Sequence, residues 1–422
     1  MSTLLTAAGT AVMVVLGTYL IAALVLSRVR LRAPQTTVDI DGLWWVFLVP
    51  ALNEERVIRN TVDSLLAIDN EKIRVIVIDD DSDDATAEVL ATYDDSRLQV
   101  LSRRRPGARL GKGRALNDAA RTINDDIASF GGDPDRIIVA IVDADGRLCP
   151  DALDAVAPMF ADPLVGGVQL QVRIYNRGDG WLPRCQDYEF LTFSTIIQSA
   201  REHVGSVGLG GNGQFTRLSA LRAVGEAPWS DCLTEDLDLG LRLAMLGWRN
   251  RFTSTTMVSQ QGLDNVRGIT RQRTRWMHGH FQCWRHIPAL FRSDLPNRTV
   301  FDLAWYLIAP VMTLVVSVLF GIPALMFIGA VALAAWRQQL RLDVRWWMPL
   351  YALSFGPPLL LCGVYWRQAR DISWWRAVLL AHVLAIYNYV WYVATWRAVA
   401  RIIRKRTDWA KTARLDETVV AA

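Results

Sequence analysis

The chain has 422 residues, 51% of them hydrophobic and 21% charged, with a formal net charge of +4. That balance suits a globular protein with membrane segments and leaves no basic footprint for nucleic acid. Five scattered cysteines, Cys149, Cys185, Cys232, Cys283 and Cys362, show neither zinc spacing nor a disulfide framework, so a reducing compartment fits the soluble part.

Residues 3–27 carry no charge over 25 positions, enough to cross a hydrocarbon core of about 30 Å. No basic residue precedes this run, and Arg28, Arg30 and Arg32 follow it. A cleaved signal peptide has its charges in front and a shorter apolar core. Residues 1–32 are therefore read as an uncleaved anchor, with the following domain in the cytoplasm.

Residues 42–262 alternate in type. Segments 44–49, 74–78, 97–102 and 136–142 read as strands, and 54–68, 85–93 and 114–128 have helical spacing. Strand-helix alternation predicts a mostly parallel sheet covered on both faces. Ligands of such sheets bind beyond the carboxyl ends of the strands. The first strand runs into Pro50-Ala51-Leu52-Asn53-Glu54-Glu55, where Asn53 can cap the next helix. The second delivers five carboxylates, Asp79, Asp80, Asp81, Asp83 and Asp84. Asp79 and Asp80 end the strand and face the crevice, while Asp83 or Asp84 can cap the helix that follows.

A basic loop then leads to Gly111-Lys112-Gly113 and a helix start. Basic side chains and backbone N–H groups at a helix start suit phosphate, although a solvated loop would look the same. The fourth strand ends in Asp143-Ala144-Asp145. Two carboxylates at a strand end can reach one divalent cation and leave room for diphosphate oxygens. Further on, Thr234-Glu235-Asp236 opens a helix over 237–246. Locally Thr234 reads as its cap and the acids as partners of its dipole. Gln272, Arg275 and Trp276 fall on one helical face, at i, i+3 and i+4. They can hold a phosphate and a sugar ring, or anchor the chain at a membrane surface.

The remaining apolar runs come late. Residues 303–336 are uncharged for 34 positions, ~51 Å as one helix and too long for one upright span. Gly321-Ile322-Pro323 is the expected break, which predicts a tight pair of helices. Runs at 346–366 and 377–396 add two spans, with tryptophan-rich ends suited to headgroup depth. The tail carries Arg397, Arg401, Arg404, Lys405 and Arg406 and reads as cytoplasmic. Domain and tail on one side require an even number of spans between them. That parity favours four late spans and five in total, with three late spans as the alternative.

In order and setting, these motifs resemble those of the membrane-integrated family-two glycosyltransferases, the group of cellulose, chitin and hyaluronan synthases. The resemblance covers about residues 44–290 and the flanking spans. It implies a Rossmann-like, glycosyltransferase A-type α/β domain with a mixed, mostly parallel sheet, plus transmembrane helices. The organisation is then an anchor (1–32), a cytoplasmic catalytic domain (42–262), interfacial helices (263–300), membrane helices (301–397) and a basic tail (398–422). By the same resemblance, Pro50, Ala51, Asn53, Glu54, Asp79 and Asp80 hold the nucleoside, expected to be uridine, and Lys112 contacts the donor. Asp143 and Asp145 serve Mg2+ or Mn2+ and the diphosphate, and Asp236 is the catalytic base. Glu235, Gln272, Arg273, Arg275 and Trp276 cover the diphosphate and acceptor. Gly211, Asn212 and Gly213 belong to a loop that approaches the acceptor. This loop departs from the Phe-Cys-Gly-Ser form of cellulose synthases, which puts cellulose itself in doubt.

The implied reaction is inverting displacement at the anomeric carbon of a UDP-sugar, with a growing glycan or a lipid as acceptor in the cell membrane. The Gln-x-x-Arg-Trp motif favours a polysaccharide product, which would bring export partners. Transfer of one sugar to a membrane lipid is the alternative. A non-catalytic nucleotide-sugar-binding component is a third reading, disfavoured because base and metal motif are both intact.

Overall fold

The computed structural model describes residues 2–29, 42–337, 344–406 and 415. Expectations that rest on Arg30, Arg32 or most of the tail beyond Arg406 lie outside the described residues.

Eight strands form one sheet: β1 (Trp44–Ala51), β2 (Ile73–Asp80), β3 (Leu98–Arg103), β4 (Ile137–Ile141), β5 (Arg147–Leu148), β6 (Val165–Ile174), β7 (Gln214–Arg217) and β8 (Arg249–Gln260). Their order is β3-β2-β1-β4-β7-β6-β8-β5. The first four are parallel, β7 is antiparallel to both neighbours, β6 and β8 are parallel, and β5 is antiparallel to β8. The sheet is thus mixed and mostly parallel, as expected.

Side-chain alternation divides β1 between two cores. Trp45, Phe47 and Val49 pack with Val57, Ile58 and Val62 on one face. Val46 and Leu48 pack with Leu116 and Ala119 on the other. Burial on both faces explains why β1 is a near-continuous apolar run. The four predicted strands form within a residue or two of their expected bounds. The strands β6, β7 and β8 were not anticipated. β8 reads Arg-Asn-Arg-Phe-Thr-Ser-Thr-Thr and shows no clean apolar alternation.

The helices are shorter than their periodicity suggested. The first is Ile58–Leu66, because Asn53 takes a left-handed φ of 55° and the Glu54 carbonyl accepts Val57 and Ile58 N–H in a turn. The next is Thr86–Leu90, and the third runs Lys112–Asp125. After the sheet comes a long helix, Val266–Gln282, capped by the Asn265 side chain, which accepts Gly268 N–H at 2.7 Å.

Among the described residues two helices are long and apolar enough to cross a membrane, Gly9–Leu26 and Trp374–Ile403. The pair Asn297–Leu307 and Ala309–Gly321, bent by 48°, makes a third if it counts as one span. The expected break at Gly321-Ile322-Pro323 does not reverse the chain. Gly321 keeps helical angles (φ −65°, ψ −51°), and a π-turn at Ser317–Gly321 runs on into Ile322–Trp336. With Val344–Ala369 and Trp374–Ile403, the described late residues form three helical rods; the expectation was four spans.

The last rod packs against the catalytic domain. Asp371 pairs with Arg177 and Arg184, both at 2.8 Å, and Tyr387 donates to Glu189 at 2.7 Å. The opposite face exposes Trp375, Leu379, Ile386 and Val393, an i, i+4, i+11, i+18 stripe along one side of the helix.

Candidate active site

The carboxyl ends of β2, β1 and β4 lie side by side, and the acids of the sequence motifs gather there. Asp79, fully buried, accepts Ser82 N–H at 3.0 Å and meets Arg104 at 3.3 Å. Asp80 pairs with the buried Arg103, which also holds Asp118 at 2.7 Å. The rest of the acid cluster orders a loop. Asp84 accepts Thr86 N–H at 3.0 Å, while Asn53 and Asp83 bond each other through side chain and backbone. Asn53 therefore does not cap the helix after it; that helix starts only at Ile58, and Asn53 clamps the Asp83 loop instead. Pro50 and Ala51 stay in β1, paired with Ile78 and Asp79.

Beyond these strand ends opens a cavity of about 760 Å³. Glu54, Lys112, Asp143, Asp145, Glu235, Asp236, Gln272, Arg275 and Trp276 line it. Five segments far apart in sequence thus meet there, while Asp79 and Asp80 are not among the lining residues. Lys112 Nζ lies 2.6 Å from Asp143 Oδ1 and 3.8 Å from Glu235 Oε1. Burial works against its charge, but Asp143 and Glu235 outweigh that and hold the ammonium above the ordinary lysine value.

Glu235 and Asp236 open the helix Glu235–Met245. Asp236 Oδ1 accepts Leu237 N–H at 2.7 Å. Its Oδ2 lies against Gly211, where an added Cβ would stand 2.9 Å from Oδ2 and 3.3 Å from Lys112 Nζ. Gly211 also has φ +77°, a region that costs other residues about 1–2 kcal/mol. Only glycine lets the loop come this close. Burial raises the Asp236 carboxyl above its usual value, with Lys112 opposing. Burial and the charge of Asp236 push Glu235 up to about 7.

Thr234 does not cap this helix through its hydroxyl. The Val266–Gln282 helix comes so close that a Cβ at Gly279 would lie 2.6 Å from Thr234. The hydroxyl turns instead toward Cys232 Sγ (3.6 Å) and Cys283 Sγ (3.7 Å).

The loop 210–213 is tied to Asp143 at the end of β4. Asn212 Oδ1 accepts Asp143 N–H at 3.1 Å, and its amide donates to Gln260 at 2.9 Å. Gln169 accepts Gly210 N–H at 2.7 Å and donates to Asn212 O at 2.8 Å. Gly213 N–H bonds Ile141 O at 2.9 Å, inside the sheet and away from the cavity. Gln261 N–H donates to Asp145 Oδ2 at 3.0 Å. Gln169, Gln260 and Gln261 were not foreseen; their one signal is polar side chains inside or at the end of strands.

Gln272, Arg275 and Trp276 face the cavity together, as the i, i+3, i+4 spacing implied. Arg273 does not reach it. Its guanidinium is fully buried behind the cavity's aromatic wall, 3.0 Å from Glu189 and stacked over Trp276 at 3.9 Å, Trp391 at 5.0 Å and Phe190 at 5.4 Å. It holds the aromatic wall in place. Phe190, Phe193, Tyr306, Ala309, Thr313 and Trp391 also line the cavity, none of them foreseen; Phe190 and Trp391 pack against Trp276 at 6.0 and 6.2 Å between ring centres.

Among the described residues no group of three or more His, Cys, Asp or Glu is arranged for a metal. Asp143 and Asp145 offer two hard carboxylates in the cavity wall. That small donor set fits an ion that takes its other oxygens from diphosphate and water.

Comparison with known proteins agrees with this geometry. Residues 45–279 match the family model described as glycosyltransferase like family 2. A beta-monoglucosyldiacylglycerol synthase of Synechocystis is 30% identical over 388 residues, covering 86% of this chain and 74% of the relative. A poly-beta-1,6-N-acetyl-D-glucosamine synthase of Staphylococcus aureus is 27% identical over 251 residues, 59% of this chain and 57% of the relative. Among solved structures, the mannosyltransferase of Pyrobaculum calidifontis, in complex with GDP-Man and Mn2+, shares the fold. Its TM-score is 0.58 at 21% identity, over 92% of this chain and 97% of that one. The sheet is thus that of the A-type glycosyltransferases, and the chain belongs to glycosyltransferase family 2.

Proposed function

We propose that this enzyme transfers a single hexose from a nucleotide-sugar, UDP-glucose in the first instance, to a membrane lipid of the diacylglycerol type, with inversion. The observation that carries this reading is the shape of the cavity. It joins the acids of the donor site to a wall of Phe190, Phe193, Ala309 and Trp391, and its lining takes no residue from the late helices beyond Thr313 other than Trp391. Among the described residues, none from Ile322–Trp336 or Val344–Ala369 lines it. A polymer channel would need such residues. A lipid acceptor needs only a place for its hydroxyl beside Asp236 and an apolar surface for its body. The similarity to the Synechocystis glucosyldiacylglycerol synthase supports the same reading. The Gln-x-x-Arg-Trp motif and the Staphylococcus relative support a polysaccharide instead. Single transfer to lipid calls for no export partner.

In this mechanism Asp236 removes the proton from the acceptor hydroxyl as it attacks the anomeric carbon. Its raised pKa makes it a stronger base than an exposed aspartate. Lys112 and Arg275 offset the charge that grows on the leaving diphosphate. Asp143 and Asp145 would hold Mg2+ or Mn2+, which supplies further charge compensation there. Asp79, Asn53 and Glu54 bound the nucleoside end. The Trp276 ring offers an apolar platform beside the reacting sugar.

The apolar anchor helix and late rods support a site at a membrane surface. In the proposed arrangement the rod from Asn297 to Trp336 crosses and Val344–Ala369 returns, while Trp374–Ile403, itself long and apolar enough to cross, lies along the domain with its apolar stripe toward lipid. Supplying radiolabelled UDP-glucose and diacylglycerol to the purified protein tests the function. The expected product is a chloroform-soluble monoglucosyl lipid. Ethanol-insoluble polymer would establish the polysaccharide reading, and no product would leave the non-catalytic one.

A further inference from the structure

We propose that a second, apolar groove beside the active cavity holds an acyl chain of the acceptor. This inference rests on the lipid-transfer reading above. The groove has a volume of about 240 Å³ and lies where four elements meet. Leu20 comes from the N-terminal anchor, Phe193 and Ile197 from the π-turn Phe193–Gln198, Leu361 from Val344–Ala369 and Leu384 from Trp374–Tyr387.

Three features tie the groove to the reaction. First, it shares a wall with the active cavity, since Glu189 and Phe193 line both. A molecule whose hydroxyl reaches Asp236 can therefore extend past Phe193 into the groove. Second, the gap is built into the local backbone. Pro357 and Pro358 stand in the wall, and neither has an N–H to close the helix behind it. Across from them the π-turn widens its own helix by one residue per turn. Gln171 of β6 holds that turn by donating to Ser194 at 3.2 Å and Thr195 at 3.1 Å, so its position is set by the sheet that carries the site. Third, the polarity is graded. Glu189, the one carboxylate in the wall, is paired with Arg273 and Tyr387. The side-chain amide of Asn388 has no hydrogen-bond partner among the described residues and lines the same end. An amide next to an apolar slot suits a chain joined through an ester carbonyl. The groove opens beside a helix able to cross a membrane, so its occupant comes from lipid and not from water.

The test is acceptor chain length. Purified enzyme is assayed with dioctanoylglycerol and dioleoylglycerol in mixed micelles, and the ratio of their kcat/KM values is taken. In Leu361→Trp the indole fills the groove. Losing the burial of as few as two methylenes corresponds to about tenfold in that ratio, against the long chain. Leu361→Ala enlarges the groove and is expected to keep or raise the ratio, which guards against a variant that merely misfolds. UDP binding by each variant checks the fold of the catalytic domain. If both variants show the wild-type ratio while making glucolipid, the groove inference is overturned and the lipid-transfer reading stands. If the wild type glucosylates neither acceptor, the lipid-transfer reading falls, and the inference with it.

Discussion

Lys112 and Asp143 meet at 2.6 Å in the wall of the active cavity, across 31 positions of sequence. The pair joins the glycine-flanked loop to the end of β4, and Glu235 lies 3.8 Å from the same ammonium. One cation thus balances acids from two different motifs. Lys112→Met should lower kcat/KM by about 10²-fold or more, since the leaving diphosphate loses a fixed positive partner. Steady-state kinetics with UDP-glucose measure this. A loss confined to KM would instead assign Lys112 to ground-state binding alone.

Asp236→Asn keeps the shape of the carboxylate and its bond to Leu237 N–H but removes the base. Transfer should fall by at least about 10²-fold while UDP binding persists. Near-normal turnover would remove Asp236 from the base role.

Glu235 titrates near 7 because burial and Asp236 disfavour its charge. Its pKa is raised above the unfolded value, so its contribution to stability is fully present below about 4.5 and is lost as pH rises through about 7. Glu235→Gln cannot ionise. The melting temperature of this variant should therefore depend less on pH across that window than the wild type's. Thermal unfolding in detergent, followed by tryptophan fluorescence from pH 5 to 8, gives the comparison.

Arg273, fully buried behind the aromatic wall, pairs with the half-buried Glu189. Arg273→Met leaves the carboxylate without its cation, a change that typically costs about 3–5 kcal/mol. Adding Glu189→Gln should restore part of the lost stability, because no unpaired charge remains. Equal melting temperatures for the single and double variants would show that Glu189 is adequately solvated on its own.

Chelation should abolish transfer, and Mg2+ or Mn2+ should restore it. Two carboxylates form a weak site without the donor's oxygens, so Asp145→Asn should need more metal for half-maximal activity. Full activity in excess chelator, with metal content verified, would contradict the assignment.

Gln261 clasps the backbone of Leu415, accepting its N–H at 2.8 Å and donating to its carbonyl at 3.1 Å. Tail and catalytic domain therefore share one side. Leu415→Cys should resist an impermeant maleimide added to intact cells, and Trp336→Cys should react. Labelling of the tail from outside would invert the proposed arrangement.

The donor-side acids were legible in the sequence because local backbone places them. An apolar run that stops at Asp79 or Asp143 ends a buried strand, and parallel strands put their ends on one edge. The i, i+3, i+4 spacing of Gln272, Arg275 and Trp276 is equally local, and so their common face could be read. Arg273, one position along, could not be assigned in this way. Its burial depends on Glu189 and Trp391, 84 and 118 residues distant, which nothing in its own helix announces. Thr234 has the composition of a cap, but the approach of Gly279 turns its hydroxyl elsewhere. The hydropathy of the last rod is that of a span, and its contacts with the domain through Asp371 and Tyr387 are nowhere announced by it. The cavity and the groove beside it are gaps between elements. Gaps have no residue of their own to carry a motif, so the apolar surface on which the proposed lipid acceptor rests is set by packing.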